Sequence, residues 1–326
     1  MSAGSADDLL RWADKEGILS RLCISASQIG NRGLKTAENL EAGDTCLTVP
    51  VSAIINSRRI SETDLGRALL ATNAVDPETL RLIWTMIDRP DAESRFSAFW
   101  TSLPERLLTG LTAPDEDAEM LASTPCYPQL AAARQHIAAH YEAMQPLLQS
   151  LVKAYPDFVK AQTVSWESFQ WAIALWYSYA MEVEVEPGIV EACLVPVASL
   201  LNHSGTAHIR NFGRVDPETH SMRFRLDRPC SAGEEVFLSY GRLPNSSLLL
   251  YYGFALSSNP HDTIPLSLEV DDDHLQDKRL AAIEACHLSL DHDLRADGLE
   301  SGLLDTLCVL SADEADLEDV LRNQGR

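Results

Sequence analysis

Apolar and polar positions follow two different periods along this chain, and the places where the period changes divide it into segments. Leu9, Leu10 and Trp12 follow Ser5 and Asp8 at helical spacing, which predicts an opening helix that stops at Gly17. Over residues 22–56 the texture becomes short apolar runs broken by glycine. These read as strands, with Gly43-Asp44 as a hairpin-type turn. Residues 59–182 then carry apolar positions at helical spacing, most clearly over 78–89, 130–155 and 166–182. Within them, residues 109–125 hold turn residues and acids and read as a loop with one short helix. Strand texture returns over 183–240, including a hairpin of residues 208–215 and 221–229 about the turn 216–219. From about residue 259 the chain is acidic and helix-prone.

Strands at both ends of a long helical insertion imply a β-unit assembled from segments far apart in sequence. That is an α+β arrangement and not a doubly wound sheet. The expected organisation is therefore an N-terminal helix with the first strands (1–58), a helical insertion (59–182), the closing strands (183–258) and a short C-terminal helical region (259–326).

Composition narrows the function classes. The 326 residues are 45% hydrophobic and 23% charged, as expected of a folded chain with a sizeable core. A formal charge of −22 repels phosphate backbones and anionic membranes, so nucleic acid is not an expected direct partner. Seven scattered cysteines without a C-x-x-C pair suit reduced thiols and give no zinc knot. The first residues lack a basic and apolar leader, and residues 169–181 are too short and polar to span a bilayer. Cytosol is the expected compartment, with the nucleus open.

Four short segments carry candidate chemistry. They are Gly30-Asn31-Arg32-Gly33-Leu34 between two strands; residues 194–205, ending in Asn202-His203-Ser204-Gly205; residues 233–241, ending in Tyr240-Gly241; and residues 245–254, ending in Tyr251-Tyr252-Gly253-Phe254. Read singly, these are a turn, a capped turn with a satisfied histidine, and two pieces of aromatic core. Glu234-Glu235 reads as a polar turn-to-strand junction, and Glu182, Glu184 and Glu186 as one solvated strand face. His203 and His208 lack the further ligands a zinc site needs, so no metal is expected.

Taken in order, "RGLKTAENLEAGDTCLTVP", "VPVASLLNHS" and "AGEEVFLSYG" with "LLLYYGF" resemble the SET-domain family. The branch is that of plant Rubisco large-subunit methyltransferase and its relatives, and the resemblance covers about residues 5–258. It implies a SET β-unit that binds S-adenosyl-L-methionine on one side and admits a substrate lysine through a channel on the other. By the same resemblance Arg32, Gly33 and Leu34 line the cofactor with backbone groups, and Asn202 and His203 hold its adenine and amino-acid ends. Tyr252 and Phe254 pack around cofactor and channel, and Tyr240 is the catalytic tyrosine. Tyr179, on the cofactor side, stands where the family has an arginine that meets the cofactor's carboxylate. Ser199 stands where an aspartate is common, and the C-terminal region is shorter than the family's. These departures leave three readings open: a methyltransferase acting on lysine in a protein substrate, a scaffold redirected to tailoring or cyclising a small molecule, and a non-catalytic binding protein.

Overall fold

The computed structural model describes residues 3–25, 32–72 and 75–324, so Gly30 and Asn31 of the glycine turn lie outside the described residues. In chain order, α1 (Ala3–Lys15) precedes β1 (Leu19–Ser20), β2 (Leu22–Ser25), β3 (Gly33–Thr36) and β4 (Thr45–Pro50). The helices α2 (Ser57–Ser61), α3 (Asp64–Leu70), α4 (Pro77–Asp88), α5 (Ser97–Ser102), α6 (Asp115–Glu119), α7 (Tyr127–Ala154) and α8 (Trp166–Tyr179) follow. Next come β5 (Ala180–Glu186), β6 (Ile189–Leu194), β7 (Asn202–His203), β8 (Val215–Asp216), β9 (Ser221–Arg225) and β10 (Phe237–Leu238). The last elements are α9 (Asn245–Ser247), β11 (Thr263–Ser267), α10 (Gln276–Ala285), β12 (Asp291–Arg295), α11 (Ser301–Ser311) and α12 (Glu314–Gln324). Two units result: residues 1–113, 133–241 and 250–253 form the first, and 114–132, 242–249 and 254–326 the second.

Strand alternation builds the largest sheet of the first unit, in the order β1-β4-β9-β8. Leu47 pairs with Phe224 and Val49 with Met222, and all four side chains are fully buried. Each stabilises the fold by about 1.5–3 kcal/mol. Thr48 and Arg223 form the intervening pair and turn outward. β3 is held to the far end of the unit by bonds from Thr36 N–H to the Glu234 carbonyl and from Val236 N–H to the Leu34 carbonyl (3.1 and 2.8 Å). The expected assembly of distant strand segments is thus what the chain does.

The helical insertion is anchored by caps and aromatic burial. Asp76 accepts from the N–H groups of Glu78 and Thr79 at the start of α4, with Pro77 at the first helical position. Ser165 caps α8 in the same way, through Ser168 N–H. The Trp176 indole donates to Thr85 Oγ1 (2.9 Å) and joins α8 to α4. Trp12, Trp84, Phe96 and Trp100 form a chain of tilted and edge-to-face rings 6.0–6.4 Å apart.

Several boundaries differ from the sequence pattern. The helix expected over 166–182 stops at Tyr179, because Met181 to Glu186 alternate with period two and pair with β6. The Gly43-Asp44 turn forms, but its flanks do not pair with each other: Leu40 bridges Cys230 while β4 pairs with β9. Of residues 208–215, only Val215 enters the hairpin with β9, joined there by Asp216 of the expected turn. His208 and Ile209 donate instead to the Phe237 carbonyl. In the second unit α10, α11 and α12 enclose Leu275, Ala282, Ile283, Val309 and Leu317. That unit also holds an antiparallel β11–β12 pair which the helical texture did not announce.

Gly253, at φ +78°, sits so close to the chain that an added Cβ would lie 2.0 Å from the Leu108 carbonyl oxygen. Gly188 has the same φ of +78° with nothing within 4 Å. Gly253→Ala is therefore expected to cost about 2–5 kcal/mol, combining backbone strain with overpacking. Gly188→Ala should cost only about 1 kcal/mol. Urea midpoints of the two variants test this, and equal midpoints would refute the close approach.

Candidate active site

β3, β7 and the segment leading into β10 converge because each is paired to another. β7 lies parallel to β10, with Asn202 opposite Phe237 and His203 opposite Leu238. Lys35 of β3 bridges Glu235. The Asn202 side-chain amide closes the junction, donating to the Arg32 carbonyl (2.7 Å) and to Glu235 Oε1 (2.8 Å). Gly33 makes this possible: a Cβ there would stand 2.0 Å from Glu235 Oε1 and 3.0 Å from Asn202 Nδ2. Leu34 is fully buried behind it.

His203 is committed inward, and its Nδ1 accepts from the Tyr240 backbone N–H (3.0 Å). Its ring lies 5.1 Å from that of Tyr240. The Tyr240 hydroxyl donates to the Leu201 carbonyl (2.7 Å), and the Tyr252 ring is 4.9 Å away. Tyr252 reaches this position on a π-helical turn, Leu248–Tyr252. Burial raises both phenol pKa values above the usual range, and for Tyr240 the neighbouring Tyr179 and Tyr252 add to the effect. Both phenols therefore stay protonated at neutral pH.

Tyr179, at the end of α8, completes a cleft of about 510 Å³ lined also by Ser199, Leu201, Arg210, Tyr240 and Tyr252. The Arg32 guanidinium donates to the Tyr179 hydroxyl (3.3 Å) and to the Ser102 carbonyl. Ser199 Oγ donates to the carbonyls of Tyr179 and Val195 and accepts from Val195 N–H. An ionised aspartate at 199 could not donate to those carbonyls. Val197, between Val195 and Ser199, has φ +69°, a strained conformation for a β-branched residue, and is fully buried.

The first unit thus brings Arg32, Gly33, Leu34, Tyr179, Asn202, His203, Tyr240 and Tyr252 into one region. Phe254 belongs to the second unit and is half-buried there. Sequence reading missed Glu235, whose side chain is only 6% exposed. Its burial comes from β3 and Asn202 covering a segment whose local pattern looks like a polar junction. The pattern also did not reveal that the Arg32 side chain, and not only its backbone, reaches the Tyr179 hydroxyl.

A split β-unit with its helical insertion, closed by the Asn-His strand and the terminal tyrosine, has the fold of a SET domain. The chain superimposes on the SET domain of LSMT, solved with lysine and AdoHcy bound, with a TM-score of 0.81 at 20% identity over 99% of this chain and 75% of that one. It is 26% identical to the N-lysine methyltransferase setd6 of Xenopus laevis, over 85% of this chain and 62% of that protein. It is 22% identical to the actin-histidine N-methyltransferase of Canis lupus familiaris, over 85% of this chain and 47% of that one. The chain thus spans less than two thirds of the length of these two curated relatives. No family model matches it.

One other cluster in this unit has metal-ligand residue types: His208, Cys230 and Glu234. Its hydrogen bonds argue against a metal. His208 Nδ1 accepts from Phe237 N–H (3.1 Å) and faces Arg228, so Nε2 carries the proton and donates to Glu234 Oε1 (3.2 Å). A cation on Nε2 would require the ring to lose its last proton. Burial also pushes the Cys230 thiol up to about 11. The cluster is a polar knot whose histidine must stay neutral.

Burial, followed by the Arg228 guanidinium, lowers the His208 pKa from its ordinary 6.5, while Glu234 opposes them. As pH falls below that value the unfolded chain takes up a proton before the folded one does, so stability is lost. The loss is at most about 1.4 kcal/mol per pH unit. Urea midpoints measured between neutral pH and mildly acidic pH should fall less steeply for His208→Asn than for the parent chain. Superimposable slopes would remove His208 from the acid response.

Proposed function

We propose that this chain is an S-adenosyl-L-methionine-dependent N-methyltransferase acting on a lysine side chain of a protein. The observation that carries the reading is the Tyr240 hydroxyl fixed on the Leu201 carbonyl beside Tyr252 and Tyr179, next to the clamp of Gly33, Asn202 and Glu235. The solved neighbour holds lysine together with the demethylated cofactor, which supports the same pairing here.

The residues suit such a cofactor. Neutral amide and backbone groups around Gly33 and Asn202 fit a nucleoside, and phenol rings favour a cationic centre over an anionic one. Arg32, held at the Tyr179 hydroxyl, supplies the guanidinium that α8 lacks. A charge-assisted bond from it to the amino-acid carboxylate would contribute about 1.5–3 kcal/mol. When bound, the cofactor supplies a methyl group on a positively charged sulfur.

The chain's task is then mainly alignment. In-line displacement needs the amine, methyl carbon and sulfur held in register, and the cleft walls provide that constraint. A lysine ammonium stripped of water on entering the cleft loses its proton more readily than in solution, where its pKa is near 10.4. Tyr240, held protonated, acts as a hydrogen-bonding group and not as the base. Its hydroxyl and the Leu201 carbonyl orient the amine. Among the described residues no other cluster favours the small-molecule or non-catalytic readings.

Calorimetric titration with S-adenosylmethionine and with its demethylated product should show micromolar binding, and labelled methyl groups should appear on lysine in a peptide pool. Tyr240→Phe should slow transfer by about 100-fold while changing cofactor affinity by less than about twofold. Absence of any binding heat would end the proposal, and unaltered turnover of Tyr240→Phe would remove that residue from it.

A further inference from the structure

A second cleft of the first unit, about 990 Å³, is separate from the phenol-walled one and has a different chemistry. It gathers five arginines, Arg58, Arg59, Arg214, Arg223 and Arg225, in a chain whose formal charge is −22. Strand alternation explains part of this. On β9, Met222 and Phe224 turn into the core, so Arg223 and Arg225 turn out together. Arg58 and Arg59 stand in the first turn of α2, whose start is capped by Asn56.

Four carboxylates line the same cleft. Arg59 pairs with Glu62 (3.1 Å), Arg214 with Glu184 (2.9 Å), Arg223 with Asp216 (3.3 Å), and Arg58 with Glu186. Arg225 has no ion pair among the described residues and is exposed, which leaves one guanidinium in excess. Each guanidinium has five N–H donors, and one carboxylate uses at most two of them. Exposed pairs of this kind are weak and exchange readily. The cleft therefore keeps donors free for a further carboxylate.

The two clefts share walls. Ala180 to Glu182 of β5 line the phenol cleft, and Glu184 to Glu186 of the same strand line the arginine cleft. In the adjoining segment Arg210 and Phe212 line the first and Asn211 the second. Along the strand the two groups lie about 7 Å apart at their nearest residues and about 13 Å apart between their centres. An extended peptide covers that span in about two to four residues.

We infer that the arginine cleft is a specificity subsite for the protein substrate: it receives an aspartate or glutamate roughly two to four residues from the lysine. The inference rests on the methyltransferase reading for the lysine, and its test reads binding so that the two can fail separately. The probes are two fluorescein-labelled peptides with one central lysine, identical except that the flanking positions carry Asp in one and Asn in the other. Fluorescence anisotropy should show the Asp peptide binding roughly fivefold or more tightly, with the advantage shrinking as salt is raised. Arg225→Ser and, separately, Arg58→Ser should erase most of that advantage while leaving the Asn peptide and S-adenosylmethionine titrations unchanged. Equal affinity of the two peptides would overturn the inference. So would an Asp preference that both variants retain. If methyl transfer fails while the Asp preference stands, the fault lies with the catalytic reading and not with the subsite.

Discussion

The amide nitrogen of Asn202 donates one hydrogen to the carbonyl of Arg32, 170 residues earlier, and the other to the carboxylate of Glu235, 33 residues later. These two bonds tie β7, the entry to β3 and the entry to β10 at a single point, and the site takes its shape from there. A buried carboxylate is costly unless it accepts hydrogen bonds, so Glu235 holds Asn202 in place as firmly as Asn202 holds it. Gly33 is the geometric condition for this contact, since any side chain at that position would occupy the volume of the carboxylate. Pairing of β7 with β10 then carries the constraint to His203, whose ring fixes the Tyr240 backbone, and so to the phenol itself.

Tyr179 and Ser199, the two positions that depart from the resembled pattern, meet through a backbone carbonyl. Tyr179 occupies the position of an expected cation, but its hydroxyl receives a hydrogen bond from the Arg32 guanidinium. Ser199 replaces an acceptor with a donor, and its hydroxyl bonds the carbonyl of that same Tyr179. A carboxylate at 199 would face those carbonyl oxygens and meet repulsion where the serine bonds.

How much of this was legible in the sequence depends on the range of the forces involved. The helices over 78–89 and 166–182 were legible because their apolar spacing is set within a few residues, the same short range over which the Asp76 and Ser165 caps act. The convergence of Gly33, Asn202 and Tyr240 was legible as a resemblance, because the order of the motifs preserves it. Glu235 was not, since its burial comes from β3 and Asn202, neither of which is near it in sequence. The end of α8 was misplaced for a related reason. Met181 satisfies a helical and a strand pattern equally, and only pairing of β5 with β6 decides between them. The β11–β12 pair escaped because none of its residues is fully buried and they carry little apolar alternation.

The charge distribution has a consequence for recognition. An overall charge of −22 draws cationic partners at long range and repels anionic ones, which suits a lysine-bearing segment of a protein. At contact distance the local groups outweigh that field, because screening removes charges beyond a Debye length. A substrate approaching through the acidic field would then meet two neighbouring clefts of opposite preference, phenols for the ammonium-derived amine and arginines for a carboxylate. Long-range attraction by itself would accept any lysine-rich segment. On the proposed reading, the pairing of the two clefts along β5 would turn that attraction into a requirement for spacing. Selectivity of this kind comes from geometry, and the strand that walls both clefts sets it.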